Sequence, residues 1–184
     1  MRNKDFYFAT RPRWHRGFYA ENTDHRPDWI LHFERAKLNS RLAAMFRHMQ
    51  RVSYADCTVG NHVYHSRYLD WLEVARGEFI RSLGETVLQW QERDVIFPVI
   101  EARLRYKAPA RYDDLLAIEV WPTLMEGVRL NFGHRITNQH GRLILEAETI
   151  HACTGRDEKL KRLPAELVAQ LKPQLKIPEK PAAV

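Results

Sequence analysis

Between His65 and Leu83 the sequence sets Tyr68, Leu72, Ala75, Phe79 and Leu83 at spacings of three and four. That pattern predicts one long helix with a single apolar face, and Gly84 supplies a natural C-terminal cap. Everything that follows has a different period. Ile100, Ala102, Leu104 and Tyr106 alternate with Glu101, Arg103, Arg105 and Lys107; Leu116, Ile118 and Val120 alternate with Ala117, Glu119 and Trp121. A third alternating run covers about Val128 to Thr137 and a fourth about Arg142 to Cys153, with turn signals at Pro109 and Asp113–Asp114 and at Asn138–Gly141. Three consecutive strands joined by short connections are antiparallel neighbours, because a parallel return needs a crossover of about a dozen residues. A lone amphipathic helix and a one-faced sheet each need a partner, and wrapping the sheet around the helix satisfies both. The expected architecture is α+β, with an antiparallel sheet around one long central helix. A strand-like run from Phe46 to Tyr54 precedes the helix, and a short helix from Pro164 to Leu171 follows the sheet.

The first 44 residues read as a basic, aromatic extension, residues 45–172 as the domain and 173–184 as a tail. Within the extension, Asp28 begins a segment that places Ile30, Phe33 and Leu38 near one side of a helix. Met45 and Met49 sit just before the first patterned segment, so an internal start is an accompanying expectation. Residues 1–50 carry 10 Lys and Arg against 5 Asp and Glu, which holds nearly all of the net charge of +6. Basic composition on its own is weak evidence for nucleic-acid binding, and no nucleic-acid partner is expected. No apolar run approaches the ~20 residues that span a bilayer, and the N-terminus lacks the apolar stretch of a secretory signal; a soluble, cytoplasmic protein is expected. Cys57 and Cys153 stand alone, outside any metal or redox spacing.

Chemistry concentrates around the start of the long helix. Tyr54, Asp56, Gly60, Val63-Tyr64-His65, Tyr68, Trp71, Glu73 and Ala75-Arg76 fall in one segment, and LRYKAPARYDD and DEKLKRLPAEL follow it. Over residues 45–172 this pattern resembles the hotdog-fold acyl-CoA thioesterases of the 4-hydroxybenzoyl-CoA thioesterase and Tol-Pal-associated type. The resemblance implies a hotdog fold and hydrolysis of an acyl-CoA thioester without a bound cofactor; the open edges of a lone sheet on one helix predict a homodimer or homotetramer, and the histidine spacing predicts no metal. The resemblance also implies substrate contacts at Tyr54, Gly60, Tyr64 and Tyr68. At one position the chain departs from the family, which has its catalytic carboxylate where Thr58 stands here. A hydroxyl with no activating base cannot replace a carboxylate in attacking a thioester or deprotonating water.

Thioester hydrolysis requires stabilisation of the developing oxyanion and a base or nucleophile. The first can come from backbone amides around Tyr64 and His65, where helix-start donors converge. For the second there are four candidates. Asp56 could reach the site from its loop, although an Asp there commonly bonds its own backbone. His65 is of a residue type whose titration near neutrality suits base work, although it could equally cap the helix or face solvent. His62 matches a catalytic His followed by Val in the plant-type acyl-carrier-protein thioesterases, with Thr58 and Gly60 replacing its companions. Glu73 lies where other hotdog branches place an acid, yet a helix Glu is commonly an ion-pair residue. Thr58 itself could orient a water. Arg103, Arg105 and Lys107 could meet the phosphates of coenzyme A or simply form a solvated sheet face. The rival expectations are a non-catalytic acyl-CoA or acyl-carrier-protein binder and, more distantly, a dehydratase of the same fold.

Overall fold

The computed structural model describes residues 45–176, so the helix expected from Asp28 lies outside the described residues. Strand β1 (Arg47–Arg51) leads into a 3-10 turn (Tyr54–Asp56) and a small hairpin of β2 (Cys57–Thr58) and β3 (His62–Val63). Helix α1 (Arg67–Ser82) follows, then a short helix α2 (Val87–Glu92). Strands β4 (Val99–Tyr106), β5 (Leu115–Glu126), β6 (Arg129–Thr137) and β7 (Leu143–Ala152) come next, and α3 (Ala165–Leu171) closes the domain. β1, β5, β6, β7 and β4 form one five-stranded antiparallel sheet in that spatial order.

The expected hotdog architecture is present, and its physical basis is the match between one helix face and one sheet face. α1 buries Tyr68, Trp71, Leu72, Ala75, Phe79 and Ile80. Against them stand Leu116, Ile118 and Val120 of β5, Leu130, Phe132 and Ile136 of β6, and Ile144 and Leu145 of β7. Phe79 meets Phe46 and Phe132 at centroid distances of 5.5 and 6.1 Å. Gly84 ends the helix at φ +103°, a conformation open to glycine and costly for most other residues. α2 was not foreseen; Thr86 and Gln89 close a reciprocal capping box at its start, and Trp90 is its buried anchor.

The path from β4 to β5 differs from the hairpin that Pro109 and Asp113–Asp114 suggest. β4 is an edge strand bonded to β7, and residues 107–114 cross the sheet end to reach β5 beside β1. The crossing covers three strand spacings, about 14 Å, well within the reach of eight residues. It is pinned on the way: Lys107 N–H and Ala108 N–H donate to Ile144 O, and Val63 N–H donates to Ala110 O. The Asp113–Asp114 turn forms only at its far end, where Asp114 N–H donates to Arg111 O and Asp113 adopts φ +65°.

On the sheet face away from α1, Arg47, Glu119, Arg135, Glu146 and Arg105 stand in register across all five strands, an alternating-charge row. Arg47 Nη2 lies 2.7 Å from Glu119 Oε1. Arg103 pairs with Glu101 and Glu148, and Lys107 with Glu146. The cations weighed for phosphate binding therefore belong to this outer charged face, with carboxylates already beside Arg103 and Lys107.

Candidate active site at the start of the long helix

The site is assembled by the chain between β1 and α1. Ser53 N–H and Oγ–H both donate to Asp56 Oδ2, at 2.8 and 2.5 Å, which folds the Tyr54–Asp56 turn. The hairpin after it pairs Thr58 with His62 and turns through Gly60 at φ +89° and Asn61 at φ +58°. Tyr64 N–H donates to Asp56 O at 2.9 Å, and Arg67 N–H donates to Tyr64 O at 3.0 Å. Between those two bonded amides, His65 N–H and Ser66 N–H donate to no acceptor among the described residues. Both residues are exposed. Two adjacent unbonded amides in exposed residues at the positive end of a 16-residue helix are donors available to an anion. Of the amides around Tyr64 and His65, that of Tyr64 is already bonded to Asp56 O.

The structure distributes the candidate side chains unequally around this turn. The His65 ring is exposed, lies tilted by 48° against Tyr64 at 4.3 Å between centroids, and has no hydrogen-bond partner among the described residues. Asp56 is committed to the fold: one oxygen takes both Ser53 protons and the other lies 3.8 Å from Arg67 Nε, joining the turn to the helix. Thr58 Oγ1 donates to His62 O at 3.1 Å, across its hairpin. His62 lies on that hairpin and is exposed. Glu73 is ion-paired with Arg76 on the same helix, and eight residues of helix separate it from His65, a rise of about 12 Å. Tyr54 is exposed and meets Tyr112 edge-on at 6.0 Å. Tyr68 is buried beneath the turn, its oxygen accepting the Ala110 N–H at 3.1 Å; burial pushes its phenol pKa up.

Sequence reasoning missed a second polar feature. Below the middle of α1, the buried Arg76 guanidinium faces Thr149, and the Thr149 hydroxyl lies within bonding distance of His134 Nε2 and His151 Nε2, at 3.1 and 3.0 Å. The available signal was a histidine within an apolar row, at Leu130, Phe132, His134 and Ile136. Among the described residues no group of three or more His, Cys, Asp or Glu side chains could hold a metal ion, and no helix is long and apolar enough to cross a membrane.

The fold and sequence have known relatives. The profile of the thioesterase-like superfamily matches residues 52–171, from the end of β1 to the end of α3. The chain belongs to this superfamily. It is 36% identical over 129 residues to the acyl-CoA thioester hydrolase YbgC of Escherichia coli, covering 70% of this chain and 96% of that protein. In three dimensions it resembles the hypothetical protein TT1821 of Thermus thermophilus, with a TM-score of 0.65, 29% identity, and coverage of 70% of this chain and 98% of that one. The DHNA-CoA thioesterase of Staphylococcus aureus is also similar, with a TM-score of 0.61, 26% identity, and coverage of 64% and 79%. The turn between β1 and α1 therefore lies inside the matched region.

Proposed function

We propose that this protein is an enzyme that hydrolyses an acyl-CoA thioester, with the chemistry at the His65–Ser66 turn. The observation that carries the proposal is the pair of adjacent amides, His65 N–H and Ser66 N–H, presented at a helix start beside an exposed imidazole. The thioester carbonyl oxygen binds these amides, which cost little reorganisation as negative charge develops. The His65 ring takes a proton from water, and the hydroxide equivalent adds to the carbonyl carbon. The tetrahedral oxyanion then collapses, the carbon–sulfur bond breaks, and the proton held by His65 passes to the departing thiolate. The free acid and coenzyme A are the products. Similarity to an acyl-CoA thioester hydrolase supports the substrate class.

Thr58 has its hydroxyl turned to His62 O, so this route does not pass through the position where the family keeps a carboxylate. A homo-oligomer completes the proposal: β4 has one bonded neighbour among the described strands, and Val99, Ile100 and Tyr106 on it are about half exposed. A second copy continuing the sheet at that edge would place the acyl group between subunits.

The test is thiol release from a panel of acyl-CoA thioesters by the full chain. Turnover that falls by about a hundredfold or more in His65→Ala supports the mechanism. Tight binding without release at any chain length would instead make the protein a non-catalytic acyl-CoA binder, and equal turnover in His65→Ala would remove the imidazole from the reaction.

A further inference from the structure

We infer that Tyr106 is a positioning residue for this site: its hydroxyl, by holding the His65 carbonyl, aims and strengthens the Ser66 N–H of the same peptide group. The inference rests on the thioesterase proposal and deepens it. Tyr106 Oη donates to His65 O at 3.0 Å. The His65 carbonyl and the Ser66 N–H belong to one planar trans peptide and point in opposite directions, so fixing one fixes the other.

No other bond holds that peptide among the described residues. Four residues on, Leu69 N–H would be the helical donor to His65 O, but it bonds Ser66 O instead, at 2.9 Å; Arg67 N–H goes to Tyr64 O. Without Tyr106, the peptide between His65 and Ser66 could rotate without breaking a hydrogen bond. A carbonyl that accepts a hydrogen bond also polarises the N–H on the far side of its peptide, by roughly 10–30% in condensed-phase estimates. Tyr106 therefore supplies both direction and strength to the amide that would meet the oxyanion.

The phenol is itself well supported. Tyr106 ends β4 and pairs in register with Leu145 of β7. Its ring stands edge-on to Tyr68 at 5.4 Å, and Tyr68 is tied through its oxygen to Ala110 N–H. The ring remains about half exposed, so the hydroxyl serves the His65 contact rather than core filling. Because Tyr106 sits on the edge strand, the same residue links sheet integrity to the helix start.

Tyr106→Phe in the full chain removes one oxygen and keeps the ring. Two readouts follow. In the substrate-free protein, loss of the bond to the His65 carbonyl shifts the amide nitrogen resonance of Ser66, while residues in α3 stay in place. In turnover, kcat falls about tenfold with KM within about twofold, a loss smaller than that for deleting an oxyanion donor outright. An unmoved Ser66 resonance, an unchanged kcat, or a change confined to KM overturns the inference. A wild-type chain that releases no thiol from any acyl-CoA overturns the functional proposal instead, and the Ser66 resonance then decides whether Tyr106 orders the peptide. Tyr106→Leu, which also removes the ring, is expected to lower thermal stability, whereas Tyr106→Phe should leave it unchanged.

Discussion

The Thr149 hydroxyl lies 3.0 Å from His151 Nε2, beneath the middle of α1. The proton positions around it follow from what each atom can do. His151 Nδ1 lies 3.1 Å from Phe97 O, and a carbonyl only accepts, so Nδ1 carries the hydrogen. In the neutral ring Nε2 is then bare and takes the Thr149 proton. The Thr149 oxygen accepts from His134 Nε2–H, which leaves His134 Nδ1 bare, and that atom has no partner among the described residues. Burial, reinforced by the Arg76 guanidinium, pushes His134 down to about 3 and His151 to about 4; burial lowers Arg76 itself to about 10. Both rings stay neutral while the unfolded chain protonates near the ordinary value of 6.5. The unfolded state therefore binds more protons as pH falls from about 6.5 towards 4, and stability drops across that window. Each ring contributes up to ~1.4 kcal/mol per pH unit. Urea unfolding at pH 7.5 and pH 5 should show the loss, and His134→Leu should flatten it. An equal slope in the two proteins would refute this account.

Thr149→Val keeps the shape of the side chain and removes its hydroxyl. His151 Nε2 and the His134 Nε2–H then lose their shared partner in a site closed to water. The expected cost is about 2–4 kcal/mol, since each unmet buried group costs about 1–3 kcal/mol. Thr149→Ser retains the hydroxyl and should recover most of that loss in the urea midpoint.

The parts of this protein that follow from periodicity were legible before any coordinates. Tyr68, Leu72, Ala75 and Phe79 lie on the buried face of α1, and the alternating rows became β4 to β7 within a residue or two at most ends. Period does not encode partner choice. The same Asp113–Asp114 turn signal serves a hairpin or the end of a crossing, and only long-range bonds such as Val63 N–H to Ala110 O distinguish them. The site was legible in location, near His65, and less so in detail. Whether an amide such as that of Tyr64 is already spent depends on a carbonyl eight residues away at Asp56. The Thr149 cluster was hidden for a related reason: Arg76, His134, Thr149 and His151 come from three elements, and a lone His in an apolar row gives no hint of its partners.

Asp56→Asn tests the assignment of that carboxylate to the fold. Asp56 receives two bonds from Ser53 and faces Arg67; an amide keeps an acceptor oxygen and loses the charge. The expected outcome is a stability loss of about 1–2 kcal/mol, with kcat on acyl-CoA changing much less than in His65→Ala. A collapse of kcat in a folded Asp56→Asn chain would return Asp56 to the chemistry.

Gly133 of β6 lies opposite Trp121 of β5, and a Cβ built there would come within 2.6 Å of Trp121 Cε2. The indole is rigid and leans over the strand, so a methyl group forces ring or backbone to move. Gly133→Ala should cost about 1–3 kcal/mol, the usual range for overpacking. Trp121→Leu should absorb most of that cost, giving a coupling in the double-mutant cycle; purely additive losses would show that the contact is not the cause.

The two edges of the sheet are guarded differently. β1 is five residues long and carries Arg47 and Arg51, paired with Glu119 and Asp113. β4 is eight residues long and unpaired on one side among the described strands; it also carries Glu101, Arg103 and Arg105, but its first two residues, Val99 and Ile100, are half exposed and uncharged. Long edges with exposed apolar residues invite pairing with another strand, whereas very short edges resist it. An antiparallel β4–β4 contact would join two copies into one sheet of ten strands and close a symmetric interface. Light scattering of the wild-type chain should then report at least twice the 21.8 kDa chain mass. Ile100→Lys places a charge at that edge and should shift the mass towards the single chain while circular dichroism stays unchanged. Turnover should fall with it, because the acyl pocket is proposed to lie between copies. A wild-type chain that scatters as a monomer, or an Ile100→Lys chain that keeps the oligomer mass, would rule out this edge as the interface.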